Sequence, residues 1–176
     1  MRLRYKNLLI RLATEHDAEY LCKYWHASGW DISLEEAREM LATGKEQHMI
    51  ELDGRIIGDI HYGEIDEKTV EIGIFIRDEN ERGKGYGTTV FTIYADTLFS
   101  MRYERIRLAT SVDDKRMRSI AENKFNLVPI IHENAYQKQS GTYESYAEYF
   151  LKKDNWPDEL KILSRTYDLD KIEGEY

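Results

Sequence analysis

Arg82-Gly83-Lys84-Gly85-Tyr86-Gly87 is the stretch on which the reading of this chain turns. Glycine stands at three alternate positions. The apolar run Ile72 to Ile76 before it has the character of a strand, and Thr89 to Leu98 after it has the character of a helix. A strand, a glycine turn and a helix bring unobstructed backbone N–H groups and the positive end of the helix to one point, which is how phosphates are bound. Arg82 and Lys84 add two cations, each able to form a charge-assisted hydrogen bond worth roughly 1.5–3 kcal/mol. The ligand expected of this stretch is a pyrophosphate.

The flanking sequence supplies a scaffold. Upstream, Leu8 to Leu12 reads as a strand, followed by a helix capped by Thr14 or Asp17 that carries Ala18, Leu21, Cys22 and Trp25 on one side. Ser33-Leu34-Glu35-Glu36 is a capping box opening a second helix through Leu41, with Gly44 as its stop. Met49 to Leu52, the turn Asp53-Gly54 and Arg55 to Gly63 predict a β-hairpin, and Asp66 to Lys68 a further turn into the Val70 strand. Downstream, Arg105 to Thr110 alternates like a strand, and Asp113 or Asp114 caps a fourth helix through Lys124. Val128 to Ile131 and Ser145 to Leu151 are the last expected strands, and Leu160 to Tyr167 a short helix in the tail. With two prolines, no repeats and no low-complexity tract, the sequence predicts one domain over residues 1–156 and a tail over 157–176. Strands interrupted by helices predict an α/β fold with a mixed, mostly antiparallel central sheet flanked by helices.

Composition narrows the function. With 33% charged and 41% hydrophobic residues, this is an ordinary soluble globular chain. No apolar run approaches the ~18–20 residues of a membrane span, and the N-terminus lacks a signal-peptide core, so no membrane is expected. A single cysteine, Cys22, argues for a reducing, cytoplasmic setting. No Cys/His cluster has metal-ligand spacing, so no metal is expected. The net charge of −8 argues against a nucleic-acid partner and is compatible with a cationic amine.

Two familiar glycine loops do not fit. GxxxxGK[ST] is absent, and the glycines at 83, 85 and 87 give GxGxG, not GxGxxG. The strand after the helix ends Leu108-Ala109-Thr110, without the acid that a dinucleotide site uses. The pattern that fits is Arg/Gln-x-x-Gly-x-Gly/Ala, at Arg82, Gly85 and Gly87. This resembles the pyrophosphate motif of the GNAT superfamily of acyl-CoA N-acyltransferases. Val70-Glu71-Ile72-Gly73-Ile74-Phe75-Ile76 is similar to the family's strand before the loop, and Asp114-Lys115-Arg116 with Ala121-Glu122-Asn123-Lys124-Phe125-Asn126 to its later helix segment. Leu9 to Ala18 resembles its opening and residues 145–156 its last strand, so the resemblance spans about residues 8 to 156. It is nearest in flavour to the branch that contains the ribosomal-protein N-terminal acetyltransferases.

The resemblance implies acetyl-CoA as cosubstrate. Backbone groups of Phe75, Ile76 and Arg77 would meet the pantetheine arm, unless they pair with a neighbouring strand instead. The backbone of Arg82, Gly83, Lys84, Gly85, Tyr86, Gly87 and Thr88 would hold the pyrophosphate. It also implies cofactor contacts from Asp114, where the family usually has Asn, and from Arg116; an N-cap and a solvated helix residue are the alternatives. Glu71 is the general-base candidate: alternation sets it on one strand face with Gly73 and Phe75, where partial desolvation would raise its pKa. Some family members carry a catalytic glutamate at this place, eleven residues before Arg82. Ala121 stands where many members have a tyrosine acid, so Tyr149 is the candidate donor to the leaving thiolate, unless none is needed. Trp25, His26, Trp30 and His61 lie on segments that wall the family's acceptor site, and His61 is an alternative base.

The implied activity is acetyl-CoA-dependent N-acetyl transfer to a primary amine by direct attack in a ternary complex. The acceptor would be a small molecule or a peptide N-terminus. A catalytically inactive CoA-binding sensor or interaction module is the alternative, motivated by Asp114 and Ala121. A nucleotide binder sharing only the loop would leave the match at 114–126 unexplained. An exposed final strand would allow a homodimer.

Overall fold

Asp53 and Gly54 have φ of 51° and 79°, the left-handed pair that a two-residue hairpin turn of type I′ requires. They join β3 (Gln47–Leu52) to β4 (Arg55–Asp66), with Leu52 opposite Arg55. The computed structural model describes residues 1–27, 31–44, 46–137, 141–160 and 167–168. These form two compact units: residues 1–61 and 74–90 with the C-terminal strand, and residues 62–73 with 91–163. The strands β4 and β5 (Thr69–Ile76) run through both.

In the first unit, β3 also pairs antiparallel with β2 (Leu8–Leu12). Two strands extend this edge beyond the sequence-based expectation. β1 (Leu3–Tyr5) forms a hairpin with β2, and a short C-terminal strand (Tyr167–Asp168) pairs with β1. Tyr167 is therefore strand, not the end of a helix. Leu160 closes a short turn (Asp158–Leu160), and residues 161–166 of the expected helix lie outside the described residues.

Both expected caps form. The Asp17 carboxylate accepts the Thr14 N–H at 2.8 Å, and the turn Glu15–Asp17 continues into α1 (Ala18–Ala27). In α2 (Leu34–Thr43) the Ser33 hydroxyl accepts the Glu36 N–H and Glu36 accepts the Ser33 N–H, before Gly44 ends the helix. The two helices bury Leu21, Cys22, Ala37 and Leu41 against Met49. Each large side chain so buried contributes about 1.5–3 kcal/mol. Beside them, Arg11 forks onto Asp17 at 2.7 and 2.9 Å and reaches Glu51 at 2.6 Å.

In the second unit β6 (Arg105–Ser111) lies parallel to the start of β5 and antiparallel to β8 (Tyr143–Lys152), which pairs in turn with β7 (Ile130–Gln137). The sheet is thus mixed and mostly antiparallel, β5–β6 being the parallel join. A parallel neighbour needs a crossover, and α3 (Tyr86–Met101) provides it. Phe91 meets Phe125 at 5.1 Å between ring centroids, Phe99 meets Trp156 at 5.6 Å, and the Trp156 indole N–H donates to Asp96 at 3.1 Å. The strand expected from Val128 begins instead at Ile130 and runs to Gln137. Val128 is 83% exposed, so no burial recruits it to the sheet.

Candidate functional site

The glycine loop lies in the first unit. Gly83 and Gly85 have φ of 78° and 87°, and a Cβ added to either would meet nothing within 4 Å. Both are glycine for conformation, and the space beside them suits close approach of a ligand to the backbone. The helix begins earlier than its apolar pattern predicts, at Tyr86, so Gly87 and Thr88 lie inside the first turn of α3. The first helical bond of this end runs from the Thr89 N–H to Gly85 O at 3.0 Å. Tyr86 and Gly87 precede it in the first turn, the part of a helix whose backbone N–H groups point out beyond the helix end. The helix that they open is sixteen residues long. These residues fit a pyrophosphate.

The loop's cations are engaged with the loop itself. Arg82 donates from Nε to Ile76 O at 2.8 Å and from Nη2 to Arg77 O at 3.3 Å, and it pairs with Glu79 at 3.2 Å. Lys84 Nζ lies 2.9 Å from Glu81, which also accepts from Arg55 at 2.9 Å. Arg55 further pairs with Asp78. Lys84 and Arg55, with burial opposing them, hold the Glu81 carboxyl below the usual range. Three acids therefore neutralise three bases around the turn.

The strand segment before the loop is partly committed as well. The Arg77 N–H donates to Ile57 O at 2.8 Å, which corrects its expected availability to a pantetheine arm. The carbonyls of Ile76 and Arg77 are those that accept from Arg82. Phe75 O approaches β4 so closely that a Cβ on Gly58 would lie 2.1 Å from it. The Arg77 guanidinium is partly buried: it pairs with Asp59 at 2.6 Å and lies 4.1 Å from the Phe75 ring centroid and 4.9 Å from that of Tyr24.

Of the expected acceptor-site residues, His61 stacks on Phe75, their centroids 6.3 Å apart. Trp25 instead packs on the α1–α2 core, partly buried, and His26 donates from Nε2 to Ile32 O at 2.6 Å. Both have structural partners that the sequence does not display. Trp30 lies outside the described residues.

The catalytic candidates lie in the second unit, on opposite faces of one sheet. Val70, Ile106, Leu108, Ala147, Tyr149 and Leu151 form the buried face. Glu71, Arg107 and Glu148 form the other. Glu71 is directly opposite Arg107, where the pairing of β5 with β6 ends, although both strands continue. Its environment differs from the desolvated one expected: the side chain is 41% exposed and a carboxylate oxygen is bound by Arg107 Nη1. Arg107 Nε binds Glu148, whose second oxygen accepts from His132 Nε2 at 3.0 Å. Arg107, Glu148 and His132 were not legible as site residues. Alternation puts Arg107 opposite Ile106 and Leu108, but only strand order brings its partners to it.

Tyr149 is 1% exposed, and its hydroxyl donates to Glu122 at 2.7 Å. Glu122 also accepts from Arg118 at 2.9 Å. Burial and the Glu122 charge push the phenol up, despite Arg118. The structure thus does not bring Tyr149 and Glu71 together, and the phenol is engaged rather than open to a thiolate. Ala121 is buried within a π-helical turn (Ile120–Lys124) that follows α4 (Lys115–Ser119). Asp114 is the N-cap of α4, accepting the Met117 N–H at 3.0 Å, and Arg116 is exposed on its surface. The capping reading of Asp114 is the one observed. Among the described residues no cluster of His, Cys, Asp and Glu is arranged to hold a metal, and no helix is long and apolar enough to cross a membrane.

Comparison with known proteins supplies the context. The family model described as "Acetyltransferase (GNAT) domain" matches residues 7–123. A search of curated proteins gave no match. Among solved structures, a GNAT-family acetyltransferase from Bacillus anthracis superposes with a TM-score of 0.72 at 17% identity, covering 88% of this chain and 99% of that one. A chimera of the Vibrio cholerae spermidine N-acetyltransferase SpeG with hSSAT gives 0.73 at 17% identity, covering 86% and 98%. The Salmonella typhimurium acetyltransferase that modifies the N-terminal serine of a 50S ribosomal-subunit protein gives 0.67 at 17% identity, covering 84% and 95%. At these identities the likeness is one of fold.

Proposed function

This chain belongs to the GNAT acetyltransferase family, and from that premise we propose that it transfers the acetyl group of acetyl-CoA to a primary amine by direct attack in a ternary complex. The observation that carries the reading is the loop: two left-handed glycines with open space beside them lead directly into the N-terminus of α3. The N–H groups from Gly83 to Thr88 hold the pyrophosphate, and the dipole of α3 favours its charge. Lys84 and Arg82 exchange an internal acid or carbonyl for a phosphate oxygen when it arrives. Phe75 and Ile76 offer the backbone positions left for the pantetheine arm. Acetyl-CoA supplies an activated acyl group.

Glu71 takes the proton from the attacking ammonium. It is the exposed carboxylate of the β5 face, and the end of the β5–β6 pairing at this residue supports its access to a substrate. His61, stacked on Phe75, is assigned to the acceptor side. No proton donor is required for the leaving thiolate near neutral pH, and the engagement of Tyr149 with Glu122 supports assigning none. Spermidine and a protein N-terminal serine, the substrates named for two fold neighbours, both present amines, and the net charge of −8 favours cationic acceptors.

Calorimetric titration with acetyl-CoA, with ATP and NAD as controls, tests the first half. Selective micromolar binding of acetyl-CoA is expected, and a preference for ATP or NAD would end the reading. Thiol release with spermidine and with a short peptide bearing an N-terminal serine then tests the amine class. Binding without turnover on a broad amine panel would favour an inactive CoA-binding module.

A further inference from the structure

The face that carries Glu71 holds more charge than a single base uses. Arg107 stands between two carboxylates from different strands, binding Glu71 through Nη1 and Glu148 through Nε. His132 donates to the other oxygen of Glu148 at 3.0 Å, and its ring lies on that of Tyr146, 4.4 Å between centroids at 14°. We propose that Arg107 is a positioning residue for the Glu71 carboxylate, and that Glu148, seated on His132, sets how much of the guanidinium's charge Glu71 meets. The proposal rests on the reading of Glu71 as general base.

The physical argument is one of balance. A guanidinium alone against a carboxylate fixes its orientation but stabilises the charged form, which makes a poor base. Without the guanidinium the carboxylate gains proton affinity and loses its orientation. A second carboxylate on the same guanidinium resolves the conflict. Nη1 still orients Glu71, while two negative charges share one positive charge. Glu148 suits this task because burial alone would push its carboxyl up, yet Arg107 and His132 outweigh burial and hold it below the usual range. It therefore stays ionised to lower pH than an ordinary glutamate. A separate pair at the start of β6, Arg105 with Asp66 of β4 at 3.9 Å, closes on itself. Stability alone would be served by the less exposed Arg107–Glu148 arm, since an arm as exposed as Glu71 adds little.

The test is a carboxyl ¹³C NMR titration of the full chain labelled at glutamate, with the Glu71 signal assigned by its loss in Glu71→Gln. Glu148→Gln should move the Glu71 midpoint down and Arg107→Gln should move it up, each by about half a pH unit or more. Arg107→Lys should restore most of the midpoint. A midpoint that stays in place, or that moves the same way in both variants, overturns the proposal. Should Arg107→Gln fail to fold by near-UV circular dichroism, the Glu148→Gln shift decides alone. The base reading fails separately, through undiminished turnover of Glu71→Gln on the amine panel, whatever the midpoints do.

Discussion

The glycine loop and the charged face of β5, β6, β8 and β7 use the same chemistry in opposite ways. Around the loop, Arg82 and Lys84 pair with acids three residues away, Glu79 and Glu81. On the face, Arg107 binds acids 36 and 41 residues distant, and Glu148 meets a histidine 16 residues back. The loop is a local device, its shape set by two glycine φ angles and its charges balanced internally. The face is a product of strand order, and none of its contacts exists until the sheet does. Local perturbation should therefore damage the loop without unfolding anything, whereas damage on the face should spread along the line of charges.

The largest expected effect is on the face. Glu71→Gln should lower turnover at neutral pH by about 10²- to 10⁴-fold while leaving calorimetric acetyl-CoA affinity unchanged. Equal turnover would move the base elsewhere, with His61 next to test. Gly85→Val should weaken acetyl-CoA binding by about ten- to hundredfold, since a β-branched residue at a φ of 87° is strained by roughly 1–3 kcal/mol before it obstructs any phosphate. Its melting temperature should fall only by the few degrees that this strain costs, because the added Cβ itself meets nothing. Normal affinity would show that the backbone of the loop is not the phosphate cradle.

Smaller effects bound the comparison from outside both regions. Asp17 is buried and titrates below the ordinary value of 3.8, since Arg11 and Thr14 outweigh the effect of burial. A depressed carboxyl stabilises the fold above its unfolded value, and that stabilisation is lost as pH falls through the folded one. Asp17→Asn should cost about 2 kcal/mol at pH 7, roughly 5 °C in Tm, and should flatten the decline of stability below about pH 4. An unchanged acid limb in a denaturant titration would contradict this. Tyr149→Phe should cost only about 1 kcal/mol through the lost bond to Glu122 and leave turnover within about twofold. A large loss of rate would restore Tyr149 as a proton donor.

How much of this could be read in advance follows from the same contrast. The Arg82 to Gly87 loop, the Ser33 capping box and the Asp53-Gly54 turn were legible because each depends on residues adjacent in sequence. Glu71 was placed on the correct face by period-two alternation. Its guanidinium partner was not, since Arg107 reaches it through the parallel β5–β6 register, which no local pattern records. The surroundings of Tyr149 were hidden for the same reason: alternation sets it among Leu108 and Leu151, but only the pairing of β8 with β6 shows that this face is the one opposite Glu71. Val128 failed by composition, an apolar residue that the sheet leaves exposed. The three expected wall residues that are described divide likewise, with Trp25 and His26 taken up by packing and capping contacts and His61 left beside Phe75.

Cys22, the one cysteine in the sequence, is buried against α2, and burial pushes its thiol up despite the proximity of Arg38. A chromogenic thiol reagent added to a reaction would therefore colour with product CoA while the folded enzyme stays dark. A slow rise in a substrate-free blank would then count the openings of the α1–α2 layer. One cuvette would report the catalytic rate from its fast phase and the breathing of the first unit from its drift.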